Sequence, residues 1–290
     1  MEIILNEKTY AEKLINDKTV HPKELSYDLN ILVRYLSSSG FNKEEIYKYI
    51  EEFMSEAYPN FDINLWYKYI DRYINKAKRR KLFEIEYVPI TQNELDKIKE
   101  VKNPQKERLL FTLLSLAKLN NLKSETNNNW VNYDEKIIFQ LARVSCSDRN
   151  RNIMIYELKE AGYVKNSKRS LNIQVCFIDN SSTPVLRLTD MRELGYQYEE
   201  LKKKTLIRRC STCGKPFRLK SQKDRTRLCF DCKKKDDTEK VKIKHCEICG
   251  EPFFCDPRDG KSSLCNIHRI EAERERKRLF IHKKREESKM

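Results

Sequence analysis

Glycine is close to absent, with 6 in 290 residues. Gly40, Gly162 and Gly195 fall at expected element ends, and Gly214, Gly250 and Gly260 fall in a cysteine-rich region. No glycine-rich phosphate loop can be assembled from them, so nucleotide hydrolysis by a P-loop has no support. Histidine is scarcer still, at 4 residues. His21, His245 and His282 stand in polar surroundings with no nucleophile and base pattern, and the chain is expected not to be an enzyme. The opening MEIILNEKTY has no apolar signal segment, and no run of about 18 apolar residues occurs. A cytoplasmic protein with no membrane attachment and reduced thiols is therefore expected. The many Lys, Asn and Ile residues match the bias of an AT-rich genome.

What is abundant is cysteine in a repeated pattern. CSTCGKPF closing with CFDC is followed by CEICGEPF closing with CNIH, and the second copy lies 36 residues after the first. The offset places Cys210 on Cys246, Cys213 on Cys249, Cys229 on Cys265 and Cys232 on His268. Two residues separate the members of each pair and 15 separate the pairs, in both copies. Four ligands converging on one ion is the geometric demand that such spacing meets. The expectation is two zinc ions, one held by Cys210, Cys213, Cys229 and Cys232, the other by Cys246, Cys249, Cys265 and His268. Each set is full, which marks a structural rather than a catalytic site. An iron–sulfur centre is the alternative use of these residues. Cys255 lies inside the second copy and could replace His268, but its counterpart in the first copy is Leu219. Cys146 and Cys176 lack ligand spacing and are expected to be small buried residues.

The net charge is +15, and its distribution is uneven. Residues 201–290 hold 28 Lys and Arg against 14 Asp and Glu, while the first 200 residues hold 31 against 30. Metal–thiolate charge trims the excess on this third only to about +11. A compact basic module attracts polyanions, of which nucleic acid is the commonest. Within the first finger Arg218, Lys220, Lys223, Arg225 and Arg227 form a basic edge expected to bind phosphate. The matching stretch of the second finger is far less basic, which suits a bracing or partner-binding role. The terminal helix alternates charge, and its basic patch from Arg274 to Arg285 could follow a nucleic-acid backbone.

Helical periodicity dominates from Asn6 to about Lys81. A helix over Thr9–Asn16 is followed by one starting at Pro22, with Leu25, Leu29, Leu32, Val33 and Leu36 on one stripe. Asn42 caps a third helix with Ile46, Ile50 and Phe53 inward. Asp62 caps a fourth, with Leu65, Trp66, Tyr69, Ile70 and Tyr73 expected inward. Residues 1–100 are nearly neutral, with 16 basic and 18 acidic side chains, so their tyrosines read as core or as a protein-docking face. Thr91 and Glu94 form a capping box for a further helix.

Residues 104–179 run helix, short extended WVNY, helix, turn, helix ending at Gly162, then alternating residues in SLNIQVCFI. That order resembles a winged-helix DNA-binding domain, on the strength of Leu141, Ala142, Val144, Ser147, Leu158, Gly162, Tyr163 and Val164. The resemblance implies base-facing positions at Ser147, Arg149, Asn150 and Arg151, with Lys165, Lys168 and Arg169 on the wing. Such families carry an apolar residue near position 151, where this chain has Arg151. The layout of each finger, a hairpin after the first knuckle and a helix opening at the final pair, resembles a treble clef. The helical N-terminus, WVN, the ELGYQY stretch and a C-terminal CxxC knuckle together resemble uncharacterised bacteriophage and prophage proteins of low-GC Gram-positive bacteria. That resemblance implies a single knuckle pair, to which the second finger is an addition.

The expected fold is mainly α: an N-terminal helical bundle (1–100), a winged-helix-like α+β domain (101–180), a linker (181–207), two treble-clef-like fingers (208–240 and 241–270) and a basic charged helix (271–290). The expected function is nucleic-acid binding, DNA rather than RNA, in transcription or replication control. The alternative is a phage-encoded protein that inhibits or redirects a host machine such as RNA polymerase or a guided defence nuclease.

Overall fold

The computed structural model describes residues 3–58, 61–124, 126–167, 172–203, 206–239, 242–255 and 263–287. The molecule is mainly helical, with small antiparallel sheets. It divides into two compact units, Met1–Ile207 and Arg208–Met290.

Two hydrophobic clusters make the first unit. The first cluster joins α1 (Glu7–Asp17), α2 (Leu25–Ser38), α3 (Lys43–Ala57) and α4 (Ile63–Ala77). Side chains start three of these helices: Asn6 accepts from the Thr9 N–H, Asn42 and Glu45 form a reciprocal capping box, and Asp62 accepts from the Asn64 N–H. A short 3-10 turn, Pro22–Glu24, precedes α2, and fully buried Asp28 ties it down by accepting from the His21 N–H at 2.7 Å and the Tyr10 hydroxyl at 2.8 Å. Arg34 of α2 grips Glu7 through two bonds of 2.8 and 2.6 Å, and Glu7 also accepts from the Phe83 N–H at 2.9 Å. This pair thereby holds the chain leaving the bundle against the chain entering it.

In α4 the buried residues are Ile70, Tyr73 and Ile74, with Ile63 and Trp66 partly covered. Leu65 and Tyr69, expected inward, are 73% and 45% exposed. The stripe at 63, 66, 70, 73 and 74 already closes one helical face, and Leu65 and Tyr69 lie off it.

The second cluster forms around α6 (Pro104–Lys123), whose residues 107–119 are all buried. A helix buried on every side stands in the middle of a core, and this one carries Glu107, Arg108 and Lys118 into it. The extended N-terminus serves both clusters, Ile3 and Leu5 packing into this one and Ile4 into the bundle, as alternation along a strand requires. Against α6 lie β1 (Val88–Thr91) and α5 (Gln92–Lys99), so residues expected in the N-terminal bundle join the second cluster instead. The bundle's own packing ends at Leu82.

Following β1 and α5, α6 leads through β2 (Trp130–Val131) to α7 (Glu135–Leu141) and α8 (Asp148–Glu160), then β3 (Val164–Asn166) and β4 (Ile173–Val175). The three strands form an antiparallel sheet in the order β2, β4, β3. Ser147 caps α8, and Gly162 takes φ +77° after it, a conformation open to glycine. Ile173 and Val175 are buried, whereas Cys176, expected to be buried, is exposed on the opposite strand face. Cys146 packs partly against the core.

Residues 181–207 are not a linker. β5 (Pro184–Leu188) pairs antiparallel with β1, Val88 facing Leu188, and α9 (Leu194–Leu201) packs on α6. In the ELGYQYE stretch the Tyr198 ring lies 5.2 Å from Phe111 and its hydroxyl donates to Glu107 at 3.0 Å. Glu199 binds Arg108 at 2.5 Å, and Gln197 donates to the carbonyls of Asp190 and Arg192 at 2.8 and 2.7 Å. Gly195 meets the end of α7 so closely that a Cβ there would lie 2.0 Å from the Ala142 carbonyl oxygen.

In the second unit β6 (Ile207–Arg209) pairs with β7 (Pro216–Arg218), followed by α10 (Phe230–Glu239); β8 (Lys242–His245) pairs with β9 (Pro252–Cys255), followed by α11 (Asn266–Glu287). The expected boundary at residue 270 falls inside α11, which runs 22 residues without interruption. No Gly or Pro stands between Asn266 and Glu287 to stop it. No helix of the described residues is long and apolar enough to cross a membrane.

Gly195→Ala is expected to destabilise the first unit by about 1–3 kcal/mol, the usual cost of overpacking against backbone. Urea denaturation followed by far-UV circular dichroism, against wild type, measures it.

Candidate metal centres and nucleic-acid interface

Each knuckle is a tight backbone device. Gly214 and Gly250, at φ +70° and +71°, follow the second cysteine of each pair and donate to the carbonyls of Cys210 and Cys246 at 2.9 and 2.8 Å. The repeat extends into the backbone bonds. Ser211 N–H donates to Arg227 at 3.0 Å as Glu247 N–H does to Ser263 at 2.9 Å; Lys233 N–H reaches Cys229 and Arg269 N–H reaches Cys265, both at 2.9 Å. Every one of these pairs is related by the 36-residue offset.

The result is two clusters, Cys210, Cys213, Cys229 and Cys232, and Cys246, Cys249, Cys265 and His268, whose ligand atoms all lie within 4.8 Å of one another. Cys229 stands just before α10 and Cys232 in its first turn, so helix geometry aims both sulfurs one way; Cys265 and His268 stand likewise around the start of α11. Each cluster could hold a metal ion. With metal–sulfur bonds of about 2.3 Å, sulfurs at two corners of a tetrahedron stand about 3.8 Å apart. Cys213 and Cys229 are 3.7 Å apart, and Cys249 and Cys265 are 3.9 Å apart. His268 directs Nδ1 at the sulfurs of Cys246 and Cys265, 3.4 and 3.2 Å away. The donor set, soft thiolate with one imidazole, suits zinc.

Without an ion the thiols of each cluster divide: the first cysteine of each knuckle is held down, while Cys213 and Cys249 are pushed up and the neighbouring Cys213 thiol pushes Cys232 up to about 12. Burial pushes the Cys210 thiol up, but the N–H groups of Cys229, Cys213 and Thr212 outweigh it and bring it down to about 6. Cys246 reaches about 6 by the same opposition of burial to the N–H groups of Cys265, Cys249 and Ile248. The side chain of Cys255 lies outside the described ones.

The basic residues of the first finger are displayed outward: Arg218, Lys220, Lys223, Arg225 and Arg227 are all exposed. On α8 Arg149 and Asn150 are exposed, and so is Lys165 on β3. Lys168 and Arg169 lie outside the described residues. Arg151 is a correction. It is only 14% exposed, bonded to Glu135 at 2.8 Å and to Asp148, with its guanidinium 5.9 Å from the Phe139 ring. It fastens α8 to α7, with its guanidinium against the Phe139 ring, and so does not stand free to read a base.

Sequence reasoning passed over Asn152, Ile153 and Tyr156, which are exposed along α8 from Arg149 at helical spacing. That spacing was a usable signal once the helix phase was known. It also passed over Arg208, half-buried beside the first knuckle, whose Nη1 donates to the Thr226 carbonyl at 2.9 Å.

Two metal ions per chain are expected by elemental analysis of the purified protein. Cys229→Ser and His268→Ala should each lose one, and Cys255→Ser neither. Chelation should unfold the finger region while leaving the helical signal of the first unit. The chain matches no protein-family model, no curated protein and no solved structure, so the chemistry of its sites rests on their geometry.

Proposed function

We propose that the chain is a zinc-finger nucleic-acid-binding protein of a phage or mobile element, acting on DNA in transcription or replication control and without catalysis. One observation carries the reading: five basic side chains of the first finger, Arg218, Lys220, Lys223, Arg225 and Arg227, are exposed together on a module whose four cysteines are grouped to hold a metal ion. Such a surface attracts phosphate, and the metal supplies a fixed shape at small size. The clusters, each a hairpin knuckle joined to a helix start, are read as treble-clef fingers holding zinc. The order α6, β2, α7, α8, β3, β4, with the sheet order β2, β4, β3, supports a winged helix. In that reading α8 presents Arg149, Asn150, Asn152 and Tyr156 to a groove, and the hairpin from Lys165 touches backbone. The phage origin rests on the resemblance of the sequence.

The test is binding of labelled duplex and single-stranded DNA by anisotropy across a salt series. Affinity should fall steeply with salt, and Arg225→Ala with Arg227→Ala should flatten the log–log slope by about 0.9 for each duplex phosphate that the variant no longer neutralises. Affinity unmoved by salt and by these substitutions would overturn the reading.

A second reading has its own observation. Leu65, Tyr67 and Tyr69 of α4 are 73%, 49% and 45% exposed, and Tyr67 stacks on Tyr47 at 4.8 Å under Lys43. Apolar clusters displayed this way suit a protein partner, here a host nucleic-acid machine such as RNA polymerase or a guided nuclease. Leu65→Lys with Tyr69→Lys should then abolish co-purification of that machine while leaving DNA affinity unchanged.

A further inference from the structure

Arg208, Arg225 and Arg227 together line an open cleft of about 320 Å³ in the first finger. Sites for small organic ligands are walled mainly by apolar residues, whereas the described residues that line this one are all arginines, which favours an anion. The three do not converge by accident of a basic loop. Arg225 and Arg227 flank Thr226, and both line the cleft. Thr226 points away from them, its hydroxyl and its N–H both donating to Asp224, at 2.6 and 2.9 Å. Asp224 also accepts from the Lys220 N–H at 3.1 Å, which closes the loop on itself. These donors, the Thr226 hydroxyl foremost, hold the Asp224 carboxyl down at about 2, so it is charged and occupied at any physiological pH.

The carbonyls on the same segment are clamped as well. Thr226 accepts from Arg208 at 2.9 Å, and Arg227 accepts from the Ser211 N–H at 3.0 Å. One guanidinium nitrogen of Arg208 is thus committed to orientation, and the planar group has further N–H donors to offer the cleft.

The second finger brings its four ligand residues together with a different sequence at these positions. At the 36-residue offset Lys244 replaces Arg208, Gly260 replaces Asp224, Lys261 replaces Arg225 and Ser263 replaces Arg227. The knuckle bond survives the change, since Glu247 N–H donates to Ser263 as Ser211 N–H does to Arg227. Asp224 and the three arginines, which the second copy does not have in sequence, are therefore additional to grouping the ligands.

We infer that Arg208, Arg225 and Arg227 form a built fork for a backbone phosphate of nucleic acid, with Asp224 as the positioning residue that sets it through Thr226. Guanidinium groups suit phosphate because their paired N–H donors match two of its oxygens. The inference rests on the nucleic-acid reading above and refines it: one phosphate is held by geometry, beyond the diffuse attraction of the basic edge. The two kinds of binding respond oppositely to one substitution. Asp224→Asn adds a unit of positive charge, so diffuse attraction would strengthen; a positioned fork would loosen and weaken.

The experiment is anisotropy of a labelled DNA duplex titrated with the full, zinc-loaded chain, as wild type, Arg208→Lys and Asp224→Asn, with zinc content measured for each. Arg208→Lys keeps the charge and is expected to weaken binding about tenfold, the worth of one charge-assisted hydrogen bond. Asp224→Asn is expected to weaken it too, despite its added charge. Should that variant lose zinc, Arg225→Lys with Arg227→Lys, on exposed side chains, carries the same test and should weaken binding at unchanged net charge. Wild-type binding with charge-preserving variants unaffected and Asp224→Asn tighter would overturn the fork and leave the nucleic-acid reading standing. No binding of duplex or single strand by wild type would overturn both.

Discussion

A helix buried on all sides leaves its charged side chains no water, and the first unit is arranged around that constraint. α6 carries Glu107, Arg108 and Lys118 within its buried run. A buried charge is tolerable only when paired and hydrogen-bonded. Lys118 therefore meets Glu94 at 2.7 and 3.0 Å and the Asp179 carbonyl at 3.2 Å; Arg108 meets Glu199, and Glu107 meets Tyr198 and Lys202. Glu94 does a second task as the capping box of α5, accepting from the Thr91 N–H at 2.8 Å, and a third by accepting from Asp179 N–H at 2.9 Å. Distant segments, residues 91–94 and 179 on one side and 198–202 on the other, are drawn to α6 by the charges they neutralise. Thr112 and Ser115 donate to the carbonyls one turn back, and among the described buried side-chain atoms Arg108 Nε is left without a partner.

The second unit answers a different shortage. Among its described side chains only Cys210, Pro216, Leu219, Cys229 and Cys246 are buried, too little apolar matter to make a core. Four-ligand clusters replace it, which is the usual solution for a small module. With metal bound, such clusters would hold the module together and leave the surface between the ligand pairs open to other chemistry. The two fingers diverge there, one into arginines on an Asp-tied loop and the other into a less basic stretch, while their knuckle bonds remain superimposable in sequence.

The two units thus place their charge in opposite ways. In the first, a few charges such as Glu7, Arg34, Glu94, Glu107, Arg108, Lys118 and Glu199 are buried and paired while most stay at the surface, where the 31 basic residues of the first 200 balance 30 acidic ones. In the second they are turned outward and accumulate. This asymmetry fits the two interiors: a large core can absorb charged side chains as internal cross-links, and a small module with few buried residues has no room for them.

Local patterns were legible before any coordinates. Asn42, Asp62, Thr91 and Ser147 cap helices as their positions suggested, and the ligand grouping followed from spacing, because a short chemical distance along the chain constrains a short distance in space. Other features could not be read that way. The stretch from residue 181 to 207 is polar and looks like a connector, yet β5 pairs with β1 and α9 packs on α6, contacts made across about a hundred residues of sequence. Arg151 has the type of a base-reading residue and the position of a packing one, and only the presence of Glu135 and Phe139 beside it decides. Likewise Leu65 and Tyr69 have the character of core residues, but a helical stripe is complete without them. Sequence by itself determined the helix starts, the ligand sets and the side on which charge collects, since each depends on neighbours within a few turns of chain. Tertiary structure alone decided which charges are buried in pairs, which arginines share a cleft and which aromatics face water, because those depend on partners that the chain brings together only by folding.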